Sequence, residues 1–158
     1  MTDGGWPADW SERKAGADCP ICAALGHDGE DDHAVFVAEL AVSEVRLERR
    51  SRLPGYCVVI WRHGHVAEPH ELDSDAAGKC WADVLAVSRA IEADFQPVKI
   101  NLFTLGNGVP HLHTHVVPRY PNDPAPGGPI TWADIFNEEP TPSEVLGRQA
   151  ASLRARLA

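Results

Sequence analysis

The sequence predicts an α+β fold: a mainly antiparallel sheet of short strands, with one long helix and a C-terminal helix. Three observations predict it. Short runs with alternating or β-branched character recur at 34–40, 42–47, 55–62, 99–105 and 111–117. A single longer stretch between Asp73 and Pro97 repeats its apolar residues at spacings of three and four. The strands precede or flank that helix and do not alternate with helices of their own.

Each element follows from its residues. Residues 1–16 are rich in Gly, Asp, Trp and Pro without periodicity and read as an irregular arm, leaving 17–158 as one domain. Cys19-Pro20-Ile21-Cys22 is a tight turn, and two half-buried strands follow at 34–40 and 42–47. Leu53-Pro54-Gly55 turns the chain into a central strand that delivers His63 and His65 to its end. Asp73-Ser74-Asp75 offers caps for the long helix, whose stripe is Trp81, Val84, Leu85, Val87, Ile91 and Phe95. Gly106-Asn107-Gly108-Val109-Pro110 breaks the strand at 99–105 before a strand resumes at His111. Five prolines between Pro118 and Pro129, with Gly127 and Gly128, make 118–130 an extended loop. Thr141-Pro142-Ser143-Glu144 reads as a capping box that opens the final helix, about 142–157.

Composition narrows the function. Lys plus Arg is 14 against 23 Asp plus Glu, a net charge of −9, so a long nucleic acid is excluded as the expected partner while a small anion in one cationic pocket is not. The longest uninterrupted apolar run, 56–61, is far short of a membrane span, and the first residues lack the basic start and apolar core of a secretory signal. The expectation is a cytoplasmic protein without membrane partners, in which the four cysteines form no disulfides and the closely spaced pair serves a metal or catalytic role.

His111, His113 and His115 stand at i, i+2 and i+4, which on a strand places three imidazoles on one face. Each neutral imidazole donates at one nitrogen and accepts at the other, so such a row can divide the work of ligand, nucleophile and donor. Two of the three on an open catalytic metal is an alternative. The spacing of Cys19 and Cys22 matches a zinc knuckle, and the same spacing fits a redox pair or two buried thiols. A tetrahedral site needs two further ligands, for which His65 and His111 are better placed than Cys57 and Cys80, read as core residues.

The segment from Leu105 to Arg119, with its His-Leu-His-Thr-His-Val-Val followed by Pro-Arg, resembles the signature of the histidine-triad (HIT) family. The order upstream also matches over about 17–120: Cys19-x-x-Cys22, two strands, Pro54-Gly55 opening a strand, residues 62–66, then the long helix. The resemblance implies a HIT-like, five-stranded sheet in a homodimer that binds a small nucleotide. It implies that His113 attacks the α-phosphorus to form a nucleotidyl-histidine intermediate, that His115 donates to the phosphoryl oxygens or the leaving group, and that Asn107 contacts the phosphate. By the same resemblance Glu48 falls near the ribose-binding position, and Cys19, Cys22, His65 and His111 hold a structural zinc, with His63 the other choice for the third ligand. Four protein ligands leave no open position on such an ion. Thr114 replaces an apolar residue of the family pattern, and the turn before the triad is shorter than in the family's phosphoramidate hydrolases. Arg119 faces either the anionic site or the surface, while His27, His33 and His70 read as surface residues.

The implied activity is that of a nucleotidyl hydrolase or transferase acting on nucleoside phosphoramidates, dinucleoside polyphosphates or related esters. The alternative is a nucleotide-binding regulatory module with little turnover.

Overall fold

The computed structural model describes residues 5–158. Its sheet has five strands in the order β1-β2-β3-β5-β4, each antiparallel to its neighbours: β1 (Ala34–Glu39), β2 (Ser43–Glu48), β3 (Cys57–Trp61), β4 (Lys99–Phe103) and β5 (His113–Arg119). Helices α1 (Trp10–Lys14) and α2 (Pro20–Ala24) precede the sheet, α3 (Ser74–Phe95) joins β3 to β4, and α4 (Trp132–Ile135) and α5 (Ser143–Leu157) follow β5.

Strand alternation sorts the side chains. Val45, Leu47, Cys57, Val59 and Val116 face α3 and α5, where Val84, Val87, Ile91, Leu146 and Leu153 complete the main core. His113, His115 and Val117 therefore point to the other face. There Val117 joins Tyr56, Leu53, Ile130 and Ile135 in a second cluster. Paired registers align Arg46 with Val58 and Val58 with His115 across three strands.

Local chemistry sets the boundaries of α3. The Asp73 carboxylate accepts the Ala76 N–H at 2.8 Å, and Gln96 leaves the helix in the left-handed region at φ 49°, just before Pro97. Gly55 has φ +81°, and a Cβ there would lie 2.6 Å from the Phe95 ring. Only glycine lets the chain enter β3 beneath the end of α3.

Four expectations are corrected. The arm holds a one-turn helix, α1, where Arg13 bonds Asp9 at 2.9 Å. β5 begins at His113, because Pro110 and a turn closed by His111 N–H to Val109 O keep His111 out of the ladder. The capping box expected at Thr141–Glu144 does not form: Pro142 caps α5 without a side-chain bond and Ser143 Oγ reaches Glu30 at 2.9 Å, while a Thr131–Asp134 box opens α4 just beyond the helix-free 118–130 loop. Trp81, placed in the helix stripe by spacing, is 52 % exposed.

Candidate functional site

His111, just before β5, is fully buried and turns toward the N-terminal segment. Its Nδ1 lies 3.5 Å from Cys19 Sγ and 3.4 Å from Cys22 Sγ, and His65 Nδ1 lies 3.6 Å from Cys22 Sγ. All four ligand atoms fall within 4.8 Å of one another. Tetrahedral zinc with ordinary Zn–S and Zn–N bonds separates sulfur from nitrogen by about 3.5 Å, so the cluster fits such an ion. Both imidazoles give their other nitrogen to a backbone carbonyl, His111 Nε2 to Trp61 O at 2.8 Å and His65 Nε2 to Lys14 O at 3.1 Å. A carbonyl only accepts, so Nε2 carries the hydrogen and the Nδ1 lone pair is free for a metal.

Gly16 makes room for this arrangement: its φ is +94°, and a Cβ would lie 2.9 Å from His65 Cγ. His63 stands apart and exposed, with its ring 5.5 Å from Trp61. Burial first, then the adjacent Cys19 thiol, pushes the Cys22 thiol up to about 11. Redox pairs work through depressed thiol pKa values, the opposite direction.

The remaining two triad histidines line a cavity of about 300 Å³ with Ile21, Asn107, Val109 and Trp132. His113 Nδ1 donates to the His111 carbonyl at 2.6 Å, which leaves its Nε2 as a lone pair. His115 Nδ1 lies 2.6 Å from the Tyr56 hydroxyl, and its ring sits 4.8 Å from His113 and 5.0 Å from Trp132. Among the described residues neither Nε2 has a hydrogen-bond partner. Burial lowers the His113 pKa, and burial followed by the nearby His113 lowers that of His115 to about 4, so both rings are neutral at pH 7.

Asn107 is exposed at the cavity rim, in the turn that Gly106 opens with φ +75°. Glu48 shares the sheet face of the triad but lies outside the cavity lining, with its carboxylate accepting the Arg50 N–H at 3.2 Å and burial holding its pKa up. Arg119 takes neither expected role. It is buried, bonding Asp123 at 2.6 and 3.0 Å and the carbonyls of Ala125 and Gly128, and so locks the Pro/Gly segment to β5. Cys57 is buried and Cys80 half-buried away from the metal cluster, while His27, His33 and His70 are exposed.

The HIT domain family model matches residues 30–122. The chain belongs to the HIT family. HIT proteins form a superfamily of nucleotide-binding proteins and nucleotidyl hydrolases. The HIT chain is 29 % identical over 113 residues to the protein named "Protein hit" of Bacillus subtilis, covering 65 % of this chain and 71 % of that one. Its fold matches a histidine triad protein of Bradyrhizobium japonicum with TM-score 0.73 and 23 % identity, over 80 % of this chain and 92 % of the other. It also matches a Zn-bound histidine triad family protein of Mycobacterium smegmatis with TM-score 0.64 and 20 % identity, over 89 % and 93 % of the two chains.

Trp132 in the cavity wall and Tyr56 buried behind His115 are the two parts of this HIT site that its sequence did not single out. Trp132 carried a signal, since the Thr131–Asp134 box marks a helix start, but the surrounding prolines hid it. Tyr56 carried none, because its bond to His115 spans 59 residues.

The half-buried His115 gives this HIT fold a predicted pH dependence. His115 takes a proton less readily when folded than the ordinary 6.5, so between 6.5 and about 4 the unfolded chain binds more protons. The stability from its burial is complete above 6.5 and is lost as the pH falls toward about 4. His115→Gln is expected to remove roughly 2–3 kcal/mol of the stability difference between pH 7 and pH 4.5. Chemical denaturation of both proteins at the two pH values checks this. An identical difference in the variant contradicts it.

Proposed function

We propose that the protein is a nucleotidyl hydrolase or transferase, cleaving nucleoside phosphoramidates, dinucleoside polyphosphates or related nucleotidyl esters on His113. The observation that carries this reading is the lone pair of the neutral His113 Nε2, which has no hydrogen-bond partner among the described residues and stands beside His115 in the cavity. Its volume lies at the lower end for small-molecule sites.

His113 Nε2 forms a bond to the α-phosphorus as the phosphorus–nitrogen or phosphoanhydride bond breaks, and the leaving group departs with that electron pair and collects a proton from solvent. The imidazole gains positive charge, which the His111 carbonyl, already accepting from Nδ1–H, stabilises. Water then attacks the phosphorus, the P–Nε2 bond breaks, and a nucleoside monophosphate leaves. Asn107 is proposed to hold a phosphoryl oxygen, and His115 to donate to the oxygens where charge develops. Glu48 is proposed as a ribose contact beyond the cavity lining, on the same sheet face along β2.

Cys19, Cys22, His65 and His111 are proposed to hold a structural zinc, which when bound supplies a cross-link between the arm and the strand that carries the nucleophile. Among the described residues no helix is long and apolar enough to cross a membrane, and a cytoplasmic site of action is proposed from composition. A homodimer is proposed because β4 is an edge strand and Trp81 is exposed on α3. Sedimentation is expected to give twice 17.2 kDa, and a species of 17.2 kDa at micromolar concentration refutes the dimer.

The hydrolase reading is tested by release of adenosine monophosphate from adenosine 5′-phosphoramidate and from a diadenosine polyphosphate by the purified protein. Turnover of either supports it. Tight monophosphate binding with no turnover of either favours a regulatory nucleotide-binding module.

A further inference from the structure

The partners of the triad imidazoles differ in kind. His111 and His113 each meet a carbonyl oxygen, which has no proton to give, so each ring is compelled to donate there. His115 meets a hydroxyl, the only one of these three partners able to donate.

We infer that Tyr56 is a positioning residue that reverses the polarity of His115, donating its hydroxyl proton to Nδ1 and so placing an N–H on the Nε2 that completes the site. This deepens the hydrolase reading and rests on it for its catalytic meaning. His113 then presents a lone pair from Nε2, and His115 presents a proton from the equivalent atom. Nucleotidyl transfer needs these two opposite faces side by side, an electron pair for the phosphorus and a donor for its oxygens.

The direction of the Tyr56 bond follows from burial. Tyr56 has no exposed surface, and among the described residues its hydroxyl has no hydrogen-bond partner except His115. If His115 donated from Nδ1, the hydroxyl proton would be left buried with no acceptor, an arrangement folded proteins avoid. Desolvation, and next the nearby Glu48 carboxylate, hold the phenol protonated, so the proton is present to be given.

The Tyr56 ring also cannot swing away. Its backbone N–H bonds Leu53 O at 3.2 Å, its carbonyl accepts the Glu48 N–H at 2.9 Å, and its ring packs with Leu53, Val117 and Ile135 and lies 6.0 Å from Phe136. Trp132 and His113 flank the His115 ring edgewise. The imidazole therefore sits in a fixed plane with one nitrogen capped and the other free.

The experiment reads the tautomer directly. Long-range proton–nitrogen NMR on the wild-type protein is expected to show His115 protonated at Nε2 and His113 at Nδ1, and Tyr56→Phe is expected to turn His115 into a mixture. In phosphoramidate turnover Tyr56→Phe is expected to lower kcat roughly 10- to 100-fold with KM within about twofold, as for a donor interaction strengthened in the transition state. A wild-type His115 protonated at Nδ1 overturns the inference even if the variant does not fold. So does a folded Tyr56→Phe protein with undiminished kcat. A wild-type spectrum with His115 Nε2–H, together with no release from any nucleotidyl substrate, supports the assignment of the hydroxyl and overturns the hydrolase reading instead.

Discussion

His113→Ala is expected to reduce monophosphate release by roughly three orders of magnitude or more, because it removes the atom that splits one difficult displacement into two easier ones. The loss should fall on kcat, since the cavity walls formed by Ile21, Asn107 and Trp132 remain in place. Folding should survive. His113 is only half-buried, its side chain makes a single hydrogen bond among the described residues, to the carbonyl of His111, and it belongs to none of the buried apolar clusters. The metal cluster uses the side chain of His111 and nothing from His113, so metal content should be unchanged. Rapid-quench labelling with a nucleotide radioactive at the α-phosphate should trap phosphorus on the wild-type protein in acid-labile form and none on the variant. Retention of more than a few per cent of wild-type turnover would remove His113 as nucleophile and move attention to water activated elsewhere in the cavity.

How far this site could be read from the chain alone depended on the range of the interactions involved. Asp73 as a cap, the apolar spacing of Val84, Val87 and Ile91, and the alternation of His113 and His115 are local, and local periodicity predicts them. Trp81 shares the spacing of that stripe and still lies outside the apolar clusters formed by the described residues, 52 % exposed, because spacing places a residue on a helix face but not under a partner element. His111 shares the i, i+2 rhythm of the triad but precedes β5, where a turn overrides strand alternation and sends the imidazole to the cysteines. Arg119 follows the triad in sequence, yet its guanidinium is spent on Asp123 and on loop carbonyls that exist only once the Pro/Gly segment has folded back. The helix α4 was legible in principle from Thr131 and Asp134, against a background of prolines that argued for none. What no local pattern carries is the meeting of Tyr56, His115 and Trp132. It depends on strand register and on the return of the chain over the sheet.

Cys19→Ser is expected to lower metal content and stability together, with activity following. Cys19 is buried at the N-cap of α2, where the Cys22 N–H points to its sulfur at 3.4 Å, and the cluster ties it to His111, 92 residues away. A cross-link that closes a loop of that length restricts the unfolded chain by about 4–5 kcal/mol on the chain-entropy view. For a chain of this size that corresponds to roughly 10–15 °C in melting temperature. The main core of β2, β3, β5, α3 and α5 has no residue in the cluster, so the variant should remain folded at 25 °C while the arm and α2 loosen. Loosening them releases Ile21 from the cavity wall and frees the His111 carbonyl that orients His113, which is why turnover should fall even though no ligand of the metal touches the cavity. Elemental analysis and thermal unfolding of wild type, Cys19→Ser and chelator-treated wild type separate the possibilities. A structural ion gives parallel losses of metal and melting temperature in both treated samples. Prompt loss of turnover on chelation with an unchanged melting temperature would instead mean an ion that takes part in the chemistry, and an unchanged metal ratio in Cys19→Ser would remove Cys19 from the ligand set.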